Sequence, residues 1–236
     1  MQILILSGSS RKNSNSLLVA NYLTKQNSHS SDIDFSVVDL AEEQIPNVGR
    51  GSIDPENLSD FQKNLIEKWH NAALVIITAP EYNWSTNAEL INLAHQLGTK
   101  NHAYLFNNKV FAFVGVSTGR GGRQSALEQM MIFNKIISFT NNQSIVCPKL
   151  WESHETHLNI NKESLQSENQ VYADSAQNFL HPLATPSRPI RPEQHQFKAC
   201  FFCSVSEKSK GYASAGQSLN FGLQVGDIKR KLGLQV

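Results

Sequence analysis

The chain has 236 residues, with 21 Lys and Arg against 20 Asp and Glu, and so a formal net charge of +1. Hydrophobic residues make up 40% of it, enough for a sizeable core, which excludes a fibrous or wholly disordered chain. The balanced charge argues against nucleic acid or an acidic membrane surface as the main partner.

Length sets an expectation of one or two domains. No apolar run approaches the roughly 20 residues that span a bilayer. The opening run, residues 2–6, is too short for a signal-peptide core. Three cysteines do not make a disulfide framework, so a reducing cytoplasm is the expected address.

The first two-thirds alternate between strand and helix patterns. Residues 3–6 form a short apolar run, suited to a strand buried on both faces. Residues 14–25 follow a polar loop and place Leu17, Leu18, Ala20, Tyr22 and Leu23 at helical spacing. A second strand is expected at 35–39, then a Gly- and Pro-containing loop at 44–56. Leu58, Phe61, Leu65, Trp69 and Ala72 mark one helix face. Residues 73–79 are the clearest strand, expected to end at Pro80. A helix over 86–97 stops at Gly98, a strand spans 110–116, and a helix spans 124–137. A last short strand is predicted at 144–147 and a closing helix at 164–180.

Such alternation predicts an α/β fold: a doubly wound, parallel, five-stranded sheet with helices on both faces. Ligands of these sheets sit beyond the carboxyl ends of the strands, so the loops after the first, third and fourth strands are the places to inspect. Residues 1–183 are read as this domain. Residues 184–236 are read as a Pro-rich linker, with Pro186, Pro189 and Pro192, and a basic extension. Pro182 is taken to open that linker, and 197–205 is a further strand candidate. Charge divides the same way, with 1–150 neutral, 151–184 at −4 and 185–236 at +5.

The loop after the first strand, residues 8–16, holds hydroxyls, amides, Arg11 and Lys12, and no acid. Free N–H groups at a helix start, ringed by hydroxyls and a guanidinium, suit a phosphate. A dinucleotide fingerprint needs further glycines and a Walker loop needs G-K-[ST]; both are missing, so a mononucleotide phosphate fits better.

Gly8-Ser9-Ser10-Arg11-Lys12-Asn13-Ser14-Asn15-Ser16-Leu17 resembles the G-S-x-R-x-x-S-x-N-x-L signature of the NADPH-dependent FMN reductase family, whose fold is flavodoxin-like. Pro80-Glu81-Tyr82-Asn83-Trp84-Ser85 is similar to the family's P-E-Y-N-x-S turn, and Ser117-Thr118-Gly119-Arg120-Gly121-Gly122 to its glycine-rich turn. The three motifs fall in order, each just past a predicted strand. The resemblance implies FMN as cofactor, with its phosphate at Ser9, Arg11, Ser14, Asn15 and Ser16. It places the ring against Pro80, Glu81, Tyr82, Asn83 and Ser85 on one side, and Ser117, Gly119, Arg120, Gly121 and Gly122 on the other. NADPH or NADH is then the electron donor and a small molecule the acceptor: a quinone, flavin, chromate or azo compound. A homodimer or homotetramer is expected. The flavin carries the chemistry, so no catalytic side chain is singled out.

Each motif also has a plainer reading. The serines serve as turn residues and caps, Asn83 or Ser85 starts a helix, and the glycines, which also suit a backbone that approaches a ligand closely or adopts positive φ, make a flexible surface turn. Arg120 and Arg123 either meet the flavin or a 2′-phosphate, or are solvated. The chain departs from the family at Asn87-Ala88-Glu89-Leu90-Ile91-Asn92, where many members carry Pro-Gly and then L-K-N, which alters the floor beside the flavin. A second function is therefore carried alongside: a non-enzymatic flavin-binding electron carrier or redox-responsive interaction protein.

Cys200 and Cys203 have redox-motif spacing, but strand-like flanks put them on opposite faces, so redox and zinc roles are rejected. His154 and His157 with Glu152 and Glu155 are read as a solvated loop, and no metal site is expected.

Overall fold

A computed structural model describes residues 1–26 and 33–184. In chain order the elements are β1 (Gln2–Ser7), α1 (Asn15–Gln26), β2 (Asp34–Asp39), α2 (Asp60–Asn71), β3 (Leu74–Tyr82), β4 (Ser85–Thr86), α3 (Ala88–Leu97), a 3-10 turn (Ala103–Phe106), β5 (Val110–Val116), α4 (Gly122–Phe139), β6 (Ile145–Val146), β7 (Trp151–Ser153), α5 (Thr156–Asn159) and α6 (Gln170–Ala184). The strand order is β2-β1-β3-β5-β6, all parallel. This is the predicted doubly wound sheet.

Alternation along the buried strands divides the core in two. Leu4, Leu6, Val75, Ile77, Phe111 and Phe113 face α2, α3 and α4. Ile3, Ile5, Ile76, Ala112 and Val114 face α1 and α6. Trp69, Phe106, Phe111 and Phe133 form an aromatic cluster on the first face. Tyr22, Trp151 and Tyr172 do so on the second. Helix α2 starts on a capping box: Ser59 Oγ accepts the Gln62 N–H and the Gln62 side chain accepts the Ser59 N–H.

Three expectations need correction. Strand β3 does not end at Pro80 but runs to Tyr82, with Pro80 in register with Val116. Neighbouring β1 stops at Ser7, opposite Thr78, so the donor Pro80 lacks has no ladder acceptor to leave unpaired on that side. The edge strand comes in two pieces. The chain leaves β5 at Cys147 and Pro148, then rejoins it at Trp151, and β7 covers the carboxyl half of β5, residues 114–116. The closing helix runs Gln170–Ala184, so Pro182 lies inside it and opens no linker. Its missing N–H would have bonded the Asn178 carbonyl, which accepts from Lys149 Nζ at 2.7 Å instead. The stretch containing Pro186, Pro189 and Pro192, the 197–205 strand candidate, Cys200 and Cys203 lie outside the described residues.

Candidate functional site

At the carboxyl edge of the sheet, the β1–α1 loop faces the ends of β3 and β5 across a cavity of about 260 Å³. Ser9, Arg11, Lys12, Asn13, Ser14, Asn15 and Ser16 line one side. Pro80, Glu81, Tyr82, Val116, Ser117 and Thr118 line the other. The loop is anchored from beneath, where Gly8 N–H donates to Thr78 O at 3.0 Å. Thr78 Oγ1 reaches Leu6 O and Ser16 O. Gly8 has no room for a side chain, since a Cβ would stand 2.5 Å from Leu90.

The start of α1 is open to a ligand. Ser14 Oγ accepts the Leu17 N–H at 3.1 Å and Ser14 O the Leu18 N–H, leaving the Asn15 and Ser16 N–H groups without acceptors among the described residues. The first turn holds no acidic residue. Ser16 is 1% exposed, and its Oγ has no hydrogen-bond partner. Asn13 is left-handed at φ 53°, a conformation that helps turn successive N–H groups toward one side, as in anion-binding nests. Arg11 lies 4.3 Å above the Tyr82 ring, and Tyr82 Oη shares a 3.0 Å hydrogen bond with Ser9 Oγ. The first two sequence motifs thus meet side chain to side chain.

Tyr82 and Ser85 close a two-residue hairpin whose central residues, Asn83 and Trp84, both have positive φ, 51° and 66°. That is strained for a tryptophan. The hairpin is over-determined from below. Glu81 accepts the Trp84 N–H, and Glu128 accepts both Ser85 Oγ and the Thr86 N–H at 2.8 Å. Burial alone would raise the Glu128 carboxyl. Hydrogen bonds from Thr86, Gln124 and Ser85 outweigh it and hold the group below its usual range. Trp84 is 75% exposed beside the cavity's hairpin wall.

Glu81 also joins the two walls, accepting Ser117 Oγ at 3.1 Å, while Ser117 Oγ accepts the Gly119 N–H. Of the expected site residues, Ser9, Arg11, Ser14, Asn15, Ser16, Pro80, Glu81, Tyr82 and Ser117 line the one cavity. Asn83, Ser85, Gly119, Arg120, Gly121 and Gly122 do not. Neither Asn83 nor Ser85 starts α3, whose N-cap is Asn87. The exposed Arg120 stands 3.9 Å from Glu155.

The positive φ expected as one reason for these glycines is not found. None of Gly119, Gly121 and Gly122 has positive φ. A Cβ on Gly121 would meet Glu81 at 3.2 Å, and one on Gly122 would stand 2.8 Å from the Gly115 carbonyl carbon. Close packing of α4 on β5 excludes larger residues at Gly122.

Sequence reasoning missed the support behind this turn. Ser117 N–H donates to Ser153 O in β7, and Thr156 Oγ1 donates to Ser117 O and Ser153 O. Ser153 Oγ bonds both Thr156 Oγ1 and Tyr172 Oη. Burial pushes the Tyr172 hydroxyl well above its usual range. The loop read as solvated is therefore partly buried, with His154 edge-on to Tyr172 and Ser153 and Thr156 fully enclosed. A three-residue strand after a proline leaves no periodicity to detect.

The departure from the family pattern is also structural. Asn87, 1% exposed, donates to Gly8 O at 2.7 Å and to Glu89 Oε2 at 3.0 Å, tying α3 to the β1–α1 loop.

Comparison with known proteins adds the family. The family model for NADPH-dependent FMN reductase matches residues 1–148. Among solved structures, the flavoenzyme NAD(P)H:(acceptor) oxidoreductase FerB from Paracoccus denitrificans superposes with a TM-score of 0.60 at 14% identity. The match covers 77% of this chain and 93% of that one. The apo form of the NADH:FMN oxidoreductase EMOB gives 0.53 at 18%, covering 82% and 98%. RosB, with a bound riboflavin-5′-phosphate derivative, gives 0.54 at 14%, covering 95% and 94%. At these identities the structures speak for the fold. A comparison with curated proteins finds no match. Among the described residues no helix is long and apolar enough to cross a membrane, and no group of three or more metal-ligating side chains comes together. With its sheet order, three turns and matched span, the chain belongs to the NADPH-dependent FMN reductase family, flavoenzymes that use FMN and take electrons from NAD(P)H.

Proposed function

We propose that the chain seats the FMN phosphate in the loop of residues 9–16 and the flavin ring against residues 80–85 and 117–122. It passes electrons from NAD(P)H to a small acceptor of the quinone, flavin, chromate or azo class. The observation that carries this reading is Ser16: its buried, unpartnered hydroxyl lines an acid-poor cavity beside two free N–H groups and Arg11. A phosphate supplies the acceptors that all of these donors lack.

When bound, FMN supplies the electron transfer itself. The residues do the rest. Arg11 and Lys12 offset the phosphate charge, and Tyr82 and Pro80 offer an apolar wall. Glu81 fixes the spacing of the two turns by holding Ser117 and the Trp84 N–H. The exposed Trp84 stands where it can cover the ring from solvent.

Leu127, Met131 and Phe139 leave an exposed apolar row on α4. This supports the family expectation of a homodimer or homotetramer; light scattering of the purified protein checks it. The site is tested by loading the protein with FMN and adding NADPH or NADH without oxygen. Bleaching of the visible flavin bands is the expected result. A protein that takes up no FMN, or whose bound FMN stays oxidised with both donors, contradicts the proposal.

A further inference from the structure

A second cavity, about 460 Å³, opens at the same edge of the sheet and shares no lining residue with the first. Its size falls within the roughly 300–1,000 Å³ of small-molecule sites. It lies between the segment after β2, with Leu40, Ala41 and Glu43, and the start of α3, with Ala88 and Glu89; Ser10 stands at its border with the phosphate loop.

Its outer wall, in the stretch from Ile45 to Ile53, has no helix or strand, yet side chains fix it firmly. Asn92 Nδ2 donates to Ile45 O and Pro46 O, while Asn92 Oδ1 accepts the Val48 N–H at 2.9 Å. One turn further along α3, Gln96 Nε2 donates to Pro46 O and Gly51 O, and Gln96 Oε1 accepts the Ile53 N–H. These bonds preform the cavity, so little ordering remains for a ligand to cause. Of residues 87–92, Ala88, Glu89 and Asn92 line it.

The lining carries two carboxylates and no Lys or Arg. Glu43 Oε1 accepts Ser59 Oγ at 2.7 Å, and its second oxygen makes no hydrogen bond within the protein. Burial alone would raise the Glu89 carboxyl. Its own backbone N–H, Ser10, Asn87 and the charge of Arg11 outweigh burial and keep it ionised.

We infer that this cavity receives the adenine and ribose of the dinucleotide donor and selects NADH over NADPH. The inference rests on the donor reducing a flavin in the first cavity. A dinucleotide is too long to place both ends there, and adjacent Ser9 and Ser10 line the first and second cavities respectively. Leu40, Ala41 and Ala88 supply apolar surface for adenine. Glu43 stands four residues past the end of β2, and its carboxylate oxygen not bonded to Ser59 can accept a ribose hydroxyl. A 2′-phosphate would instead meet two carboxylates, of which only Glu89 has a neighbouring cation, Arg11, itself outside the cavity lining.

Titration of the full-length protein, with FMN present, against ADP-ribose and 2′-phospho-ADP-ribose tests this directly, because neither fragment carries a nicotinamide. ADP-ribose is expected to bind about tenfold tighter at low salt, and the gap to shrink as ionic strength rises. Glu43→Gln should narrow it, and Ala88→Trp should abolish ADP-ribose binding while FMN retention holds. Equal or reversed preference, or ADP-ribose binding that Ala88→Trp leaves intact, overturns the inference. Flavin reduction is read separately. Bound FMN that neither dinucleotide reduces sinks the donor reading, whereas reduction without ADP-ribose preference sinks only this assignment.

Discussion

Helices α1 and α3 both point their N-termini at the carboxyl edge of one sheet, and the chain furnishes the two ends with opposite charge. The first turn of α1 has no acid, so its partial positive charge and unpaired N–H groups remain for an incoming anion. The first turn of α3 carries Glu89, so that end is already answered from within the chain. Two helix starts at one sheet edge thus yield an anion seat in one place and an acid-lined cavity in the other. Composition of a single turn decides which.

The seat under α1 also depends on a backbone contact that the α3 cavity lacks. A Cβ on Gly115 would stand 1.9 Å from the Gly122 carbonyl oxygen, so Gly115→Ala must push α4 off β5. A loss of about 3 kcal/mol is expected from urea unfolding, together with weakened FMN retention. Unchanged stability would show that the turn has slack. Next in size, Thr156→Val removes the hydroxyl that binds Ser117 O and Ser153 O. It should cost about 1–2 kcal/mol and loosen FMN, with the second cavity's ligand unaffected.

Much of this edge was legible in the sequence, and the parts that were not share a cause. The strands announced themselves because both faces of the sheet are buried, with Ile3 and Ile5 on one and Leu4 and Leu6 on the other, leaving unbroken apolar runs. The acid-free loop of residues 8–16 was readable from composition alone. What escaped were features set by distant partners. Strand β7 is only three residues long and is defined by its register with Val114. Pro182 stays helical because Lys149 satisfies the carbonyl it abandons. Nothing near Asn92 in the sequence shows that it bonds backbone more than forty residues earlier.

The contrast between the two helix ends can be sharpened by charge. Glu89 lies close enough to Arg11 for each to feel the other's charge. Glu89→Gln should therefore tighten FMN by about two- to threefold at low salt, and the gain should vanish as salt is raised. Weaker FMN binding would mean that the Ser10 and Asn87 bonds matter more than the charge.

A pH-dependent effect comes from the opposite end of the sheet. Lys109 is buried, with Nζ donating to His70 O and Ala72 O at 2.8 Å, and burial lowers its pKa from 10.5 to about 8. Between those values the unfolded chain binds more protons than the folded one, so stability rises with pH through this window. The slope is at most about 1.4 kcal/mol per pH unit. Lys109→Met should remove the slope and leave both cavities untouched. Urea unfolding at about pH 8 and about pH 9 gives the comparison, below the unfolded tyrosine value of about 10 from which the raised Tyr22 and Tyr172 begin to count.

The phosphate seat is tested most directly by comparing FMN with riboflavin, which lacks only the phosphate, on the wild-type protein and Arg11→Ala by fluorescence titration. FMN should bind the wild type at least about a hundredfold tighter, and most of that margin should disappear in Arg11→Ala. Equal affinity for the two flavins, or a margin indifferent to Arg11, would contradict the assignment of the β1–α1 loop.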